Sequence, residues 1–145
     1  MRTDGLAEEI ADELLFRTGK ALTTGDPNWL DGCFELPQFM GTIEGTRLIK
    51  TEDGLREVFE SVRCYYEANG VTDIVRTVVS AEFVGTRTVT ANYASRLIRS
   101  DGTFFRKPYP QASLIRNLSG SWKIVSSSYV ILDSPAHNIA LLADG

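Results

Sequence analysis

The hydrophobic pattern is strongest in residues 72–132, which hold four runs rich in Val, Ile, Thr, Tyr and Phe. Each run ends at Gly, Asp or Ser, residues that favour turns. The pattern predicts a four-strand antiparallel meander over residues 72–84, 86–99, 103–118 and 121–132, with hairpin turns at 100–102 and 119–121. Because Pro108 and Pro110 cannot donate to a sheet ladder, we expect the third strand to be bulged or at an edge there.

Helical periodicity comes before this meander. Apolar residues at four-residue spacing predict a first helix over residues 6–24, which Gly25 ends. Asp26 and Pro27 suit the cap and first position of a short second helix. A third helix over residues 51–69 carries one apolar stripe, formed by Leu55, Val58, Phe59, Val62 and Tyr66. We expect weak strands at 34–36 and 39–44, a link at 46–49, and one or two helical turns within 134–142.

Composition narrows the classes of partner. The 145 residues suffice for one domain, and a net charge of −4 argues against nucleic acid as the main partner. No apolar run approaches the ~18 residues of a membrane span, and the acidic first ten residues lack the features of a signal peptide. We therefore expect a cytoplasmic protein with no membrane partner.

The sequence offers little for a metal or a disulfide framework. Cys33 and Cys64 form no metal motif, and we interpret both as small buried thiols. His137 is the only histidine, so we expect no catalytic metal and no other cofactor. We interpret His137 as a surface or tail residue; the alternative is that it folds over the mouth of a pocket.

Three short motifs stand in register with these elements. They are the end of the first helix (Arg17, Ala21, Leu22, Gly25 and Asp26), Thr-Ile-Glu-Gly at 42–45, and Gly-Ser-Trp-Lys-Ile at 120–124. Over residues 6–132 the chain thereby resembles the nuclear-transport-factor-2-like superfamily, which includes the SnoaL-like proteins. The end of the chain, residues 129–133 with Asn138, also resembles the small subunit of ring-hydroxylating dioxygenases, a non-catalytic relative.

The resemblance implies an α+β, cone-shaped fold of the cystatin-like or SnoaL-like type. In this fold a highly curved antiparallel sheet wraps around three helices and leaves a mostly apolar pocket. It implies a single domain over residues 1–145, with a core at about 6–132 and a tail at 133–145. Members include dehydratases, isomerases, dehydrochlorinases and polyketide cyclases, so the fold alone does not determine function.

Three acids are candidates for chemistry. Asp26 stands where dehydratase-like members pair an acid with a histidine, but residues 71–75 hold no histidine, and we interpret Asp26 as a helix cap. In isomerase-like relatives the general base is a carboxylate in the region of Asp31 and Glu35. Either could serve, and the alternative is a solvated or ion-paired acid. Thr18 stands about where the isomerase oxyanion hole needs a tyrosine.

Aromatic and polar residues on the predicted inner faces are candidates for the pocket wall. On the meander, polar residues that include Arg96 and Gln111 alternate with apolar ones, as expected of a cavity lining or of ordinary packing. The predicted ligand-binding set is Trp29, Phe34, Phe59, Tyr66, Asn92, Tyr93, Tyr109 and Tyr129. We assign Trp122 to the core or pocket wall.

Two functions fit these residues. The first is a binding domain, non-catalytic or accessory, with a small apolar or aromatic molecule in the cone. The alternative is a cofactor-free lyase or isomerase of the dehydratase, ketosteroid-isomerase or polyketide-cyclase type. It would use Asp31 or Glu35 as the base and Tyr93 as a hydrogen-bond donor.

Strict alternation places apolar residues on both faces of the sheet. In the first long strand Val75, Val79, Ala81 and Phe83 would share one face, opposite Ile74, Val78 and Val84. In the last strand one face would hold Trp122, Ile124 and Val130, and the other Val125, Tyr129 and Ile131. Since three helices can cover only one face, we expect a homodimer that pairs sheet to sheet.

Overall fold

The computed structural model describes residues 3–143, which form helices and one six-stranded sheet. The elements in chain order are α1 (Thr3–Thr24), a 3-10 helix (Pro27–Leu30), β1 (Phe34–Thr42), β2 (Gly45–Ile49), α2 (Glu52–Ala68), β3 (Val71–Phe83), β4 (Thr88–Arg99), β5 (Tyr109–Asn117), β6 (Trp122–Tyr129) and α3 (Pro135–Leu142). The strand order is β2-β1-β6-β5-β4-β3. The predicted α+β fold and meander are therefore confirmed.

The sheet is mixed, because β1 runs parallel to β6 and antiparallel to β2. The prediction of two short strands around Pro37 was wrong: β1 is one nine-residue strand. It tolerates Pro37 because its pairing with β6 changes register between Phe34 and Phe39. Likewise, residues 46–49 belong to β2 and are not a link. Pairing with β1 overrides their weak local preference for strand.

The third strand of the meander is shorter than predicted and lies inside the sheet. β5 begins at Tyr109 and runs between β4 and β6, so the expected edge position was wrong. Pro110 is the second residue of β5 and pairs with Ala94 without a register shift. Its carbonyl oxygen accepts from the Val130 amide at 3.0 Å. Proline is tolerated there because it stands at the start of the strand.

Two bulges change which residues face the helices. In β3, Val79 has no partner between the pairs Val78–Tyr93 and Ser80–Asn92. The extra residue reverses the alternation, so Ala81 joins Val78 in the core while Val79 is exposed. In β6, Val125 is the corresponding extra residue, and Ile124 and Ser127 are both buried. The faces predicted from strict alternation were therefore wrong beyond each bulge.

Two packed clusters fill the space between helices and sheet. One joins α1 to the inner faces of β3–β6 through residues such as Leu14, Ala91 and Ile115. The other joins α2 and α3 to β1, β2, β4 and β5 through residues that include Met40, Ile49, Leu97 and Tyr109. Helix α3 is held by three backbone acceptors: Asn138 Nδ2 donates to the Ile131 oxygen, Ser61 Oγ to that of Ala140, and Arg47 Nη1 to that of Leu142. Residues 135–142 thus pack into the domain.

Among the described helices, none combines the length and the apolar character needed to cross a membrane. The cytoplasmic location stays a prediction.

Candidate functional site

A narrow cavity lies where the two core clusters meet, between the helices and the inner face of the sheet. Its volume is about 40 Å³. Since one water needs roughly 10–15 Å³, the cavity as it stands holds only a few waters. A larger molecule therefore requires wall side chains to move.

The wall is mostly apolar, with polar groups concentrated on the strands. Its apolar part includes Leu15, Phe34, Met40, Val58, Phe59, Val62, Ile74 and Leu141, and its polar part includes Thr18, Tyr66, Arg76, Tyr93, Tyr109, Gln111, Ser127 and Tyr129. Of the described residues in the wall, none is Asp or Glu, and Arg76 is the sole charged one.

Hydrogen bonds link the polar residues of β4, β5 and β6. The Tyr93 hydroxyl bonds to Ser113 Oγ, which lies 3.3 Å from Ser127 Oγ. Gln111 Nε2 lies 3.5 Å from the Tyr93 hydroxyl, while Ser95 Oγ donates to Gln111 Oε1 at 2.9 Å. Such a connected network holds buried polar groups in fixed orientations.

The tyrosine hydroxyls of the cavity remain protonated at neutral pH. Burial raises the pKa of Tyr93, Tyr109 and Tyr129, and raises that of Tyr66 well above its usual range. The charge of Arg76 opposes each of these shifts without cancelling it. The four phenols are therefore neutral and can act as donors, although those of Tyr66 and Tyr93 bond to His137 and Ser113.

His137 is completely buried, so its interpretation as a surface or tail residue was wrong. Its ring stacks on Tyr65 with centroids 5.3 Å apart, and its Nε2 atom lies 2.8 Å from the Tyr66 hydroxyl. Burial, and then the charge of Arg106, lowers the pKa of His137 to about 3. The histidine is buried because Ser134 caps α3 and directs the helix onto α2.

The three candidate acids lie away from this cavity. Asp26 is exposed and caps the 3-10 helix, accepting from the Asn28 amide at 3.0 Å. Asp31 is exposed at the other end of the same helix, and its backbone oxygen accepts from Arg17. Glu35 forms an ion pair with Lys123 at 3.7 Å. The structure thus does not bring a candidate carboxylate to Tyr93.

Most of the predicted ligand-binding residues do meet at the cavity: Phe34, Phe59, Tyr66, Tyr93, Tyr109 and Tyr129. Trp29 packs edge-on against Phe16 instead. Asn92 is exposed on the other face of the sheet, where its Nδ2 donates to Ser80 Oγ at 3.3 Å. Sequence reasoning missed Arg76, although its position between Ile74 and Val78 on an apolar strand face was a usable signal.

The cysteines differ in their surroundings. Cys33 is buried as predicted, whereas Cys64 is exposed on α2 and its predicted burial was wrong. Within residues 3–143, no cluster of three or more His, Cys, Asp or Glu side chains could hold a metal ion.

Comparison with known proteins identifies the fold. No family model and no curated protein sequence matches this chain. Among solved structures, a protein of unknown function with a cystatin-like fold from Nostoc punctiforme is similar at a TM-score of 0.67 and 15% identity, covering 92% of this chain and 97% of that one. A nuclear-transport-factor-2-like protein from Novosphingobium aromaticivorans gives 0.66 and 22%, covering 94% and 89%.

A third similar structure has a more specific name. It is a candidate aromatic ring hydroxylase from Novosphingobium aromaticivorans, with a TM-score of 0.63 and 12% identity, covering 92% of this chain and 94% of that one. Identities this low establish a shared fold. The chain therefore has the cystatin-like, nuclear-transport-factor-2-like fold that its sequence motifs predicted.

Proposed function

We propose that this protein is a small-molecule-binding domain, non-catalytic or accessory, whose apolar or aromatic ligand occupies the cavity. The observation that carries the proposal is the composition of the wall: apolar side chains surround a few convergent polar groups. Ligand sites commonly have this composition, because apolar walls supply affinity and a few polar groups fix orientation. Solved structures with this fold include proteins of unknown function, which is compatible with a binding role.

Phe59 offers a way for the narrow cavity to open. The side chain is half-buried and belongs both to the cavity wall and to the wall of a surface groove between the 3-10 helix and α2. Its ring packs edge-on against Phe34, with centroids 5.7 Å apart. Rotation of Phe59 would join the cavity to the groove and make room for an aromatic ring.

The enzyme alternative has less support from the geometry. A lyase or isomerase of the predicted type needs a carboxylate within hydrogen-bond reach of the substrate. Asp31 is exposed and Glu35 is engaged by Lys123, while the residues around the cavity supply protonated phenols. Phenols and an amide suit recognition of a ligand better than removal of a proton from it.

Neighbouring serines of β6 give a matched test. Ser127 is buried in the cavity wall, whereas Ser128 is exposed on the opposite face of the strand. We expect phenol, indole or 2-naphthol to bind the wild-type protein in ligand-observed NMR, Ser127→Leu to abolish the signal by filling the cavity, and Ser128→Leu to retain it. Thermal melts would establish that both variants fold. Absence of binding to the wild type, or equal binding by the two variants, would refute the proposal.

A further inference from the structure

We infer that the ligand of this cavity carries an anionic group, such as a carboxylate, and that Arg76 is the residue that pairs with it. The inference rests on the proposed binding function and adds the class of ligand. Arg76 lies in β3 and lines both the cavity and a surface groove between α1 and β3. In the cavity wall it is accompanied by neutral polar groups and apolar side chains.

Helix α1 positions the guanidinium group from one side. Nη2 of Arg76 donates to the Leu15 backbone oxygen at 2.8 Å and to Thr18 Oγ1 at 3.0 Å. Gly19 leaves the space for this contact, since a Cβ atom there would come within 2.9 Å of Nη2. Glycine inside a helix lowers stability by about 1 kcal/mol relative to alanine. The close approach of the Arg76 side chain gives a structural reason for glycine at position 19.

Within residues 3–143, Nε and Nη1 of Arg76 have no hydrogen-bond acceptor. Only Nη2 takes part in the hydrogen bonds found for this side chain, and in the described part of the chain Arg76 forms no ion pair. Arg47, Arg63 and Arg106 are each paired with a carboxylate, whereas Arg17, Arg96 and Arg99 are also half-buried and form no ion pair within residues 3–143. Of these seven half-buried arginines, Arg76 is the one that lines the cavity. The planar fork of a guanidinium group matches a carboxylate with two parallel hydrogen bonds, and Nε and Nη1 of Arg76 are free to make them.

The charge of the cavity favours the same class of ligand. One cation and several phenolic donors face a space whose described wall contains no carboxylate. Fixed donors and a positive charge in a water-poor site attract an anion and repel a cation. The apolar remainder of the wall fits an aromatic or aliphatic body. A small aromatic or aliphatic acid combines both features.

An acid and its neutral isostere separate this inference from the proposed function. Binding of 2-naphthoate and 2-naphthamide would be measured by calorimetry near neutral pH. We expect the wild-type protein to bind the acid at least about tenfold more tightly than the amide. Arg76→Met should remove this preference by weakening binding of the acid far more than binding of the amide. Arg96→Met is the matched control, because Arg96 lies on the neighbouring strand and bonds to Thr77 Oγ1; it should retain the preference.

The outcomes separate the two proposals. Equal affinity of the wild type for acid and amide would overturn the anionic ligand, and an acid preference that survives in Arg76→Met would overturn its pairing with Arg76. The binding function stands in both cases. Absence of binding by acid, amide and 2-naphthol alike would overturn both. Should Arg76→Met not fold, Arg76→Lys makes the same test, because an ammonium group keeps the charge but loses the fork and should weaken the preference several-fold.

Discussion

His137 should make the protein sensitive to mild acid. Its ring is fully buried and enclosed by Tyr65, Tyr66 and Tyr109, with centroid distances of 5.3 Å to each. Within residues 3–143 its Nδ1 atom has no hydrogen-bond partner, so an added proton there would be both buried and unsatisfied. Burial is the main reason that the pKa falls from 6.5 to about 3 on folding.

The sign of the effect follows from this lowered pKa. Above 6.5 the histidine is neutral in both states, and folding is not penalised. Below pH 6.5 His137 is protonated in the unfolded chain, whereas in the folded protein it stays neutral until the pH approaches about 3. Proton linkage then lowers the free energy of unfolding by about 1.4 kcal/mol between about pH 7.5 and about pH 5.5. Most carboxylates stay ionised in this window, and the chain has one histidine.

Urea unfolding at the two pH values measures this difference directly. The control is His137→Gln, which does not titrate and keeps an amide that can bond to the Tyr66 hydroxyl. We expect the variant to be less stable than the wild type at neutral pH, yet nearly flat across the window. A wild-type free energy that changes no more than that of the variant would contradict the argument. So would an NMR titration that places the folded His137 pKa near 6.5.

Two further predictions concern the surface. Asp26→Ala should lower the free energy of unfolding by about 1 kcal/mol. Asp26→Asn should change it by only a few tenths of a kcal/mol, because asparagine caps nearly as well. Equal losses for the two variants in urea unfolding would contradict the capping role. The homodimer stays a prediction, now motivated by Val75, Val79 and Val130, which remain exposed on the outer sheet face. Light scattering at micromolar concentration should give about twice 16.0 kDa, and Val79→Glu should halve that mass; a wild-type mass of one chain would refute it.

The strongest local signals predicted the fold correctly. In α2 the apolar stripe faces the core, and Thr51 caps the helix by accepting from the Gly54 amide at 3.0 Å. The turns after β4 and β5 fall where Gly102 and Gly120 adopt φ angles of 85° and 88°. These features depend on neighbours in sequence, so a single sequence reveals them.

Features that depend on distant partners escaped prediction. The bulges at Val79 and Val125 come from ladder pairing with other strands, and nothing in their own composition marks them. Strand β2 is stabilised by β1, and β1 by β6. The candidate site was predicted only in part for the same reason. Its aromatic residues could be assigned to the cavity because they lie on the inner faces of predicted elements. The position of Arg76 against α1 depends on the tertiary structure and could not be predicted.

The last helix is part of the site, whereas the sequence pattern predicts a tail at 133–145 outside the core. Leu141 lies in the cavity wall, and His137, four residues earlier on α3, bonds to the Tyr66 hydroxyl. The Tyr66 hydroxyl also lies 3.3 Å from the Tyr109 hydroxyl. Tyr66 therefore links His137 on α3 to Tyr109 on β5. A perturbation that displaces α3 therefore frees these phenols to reorient.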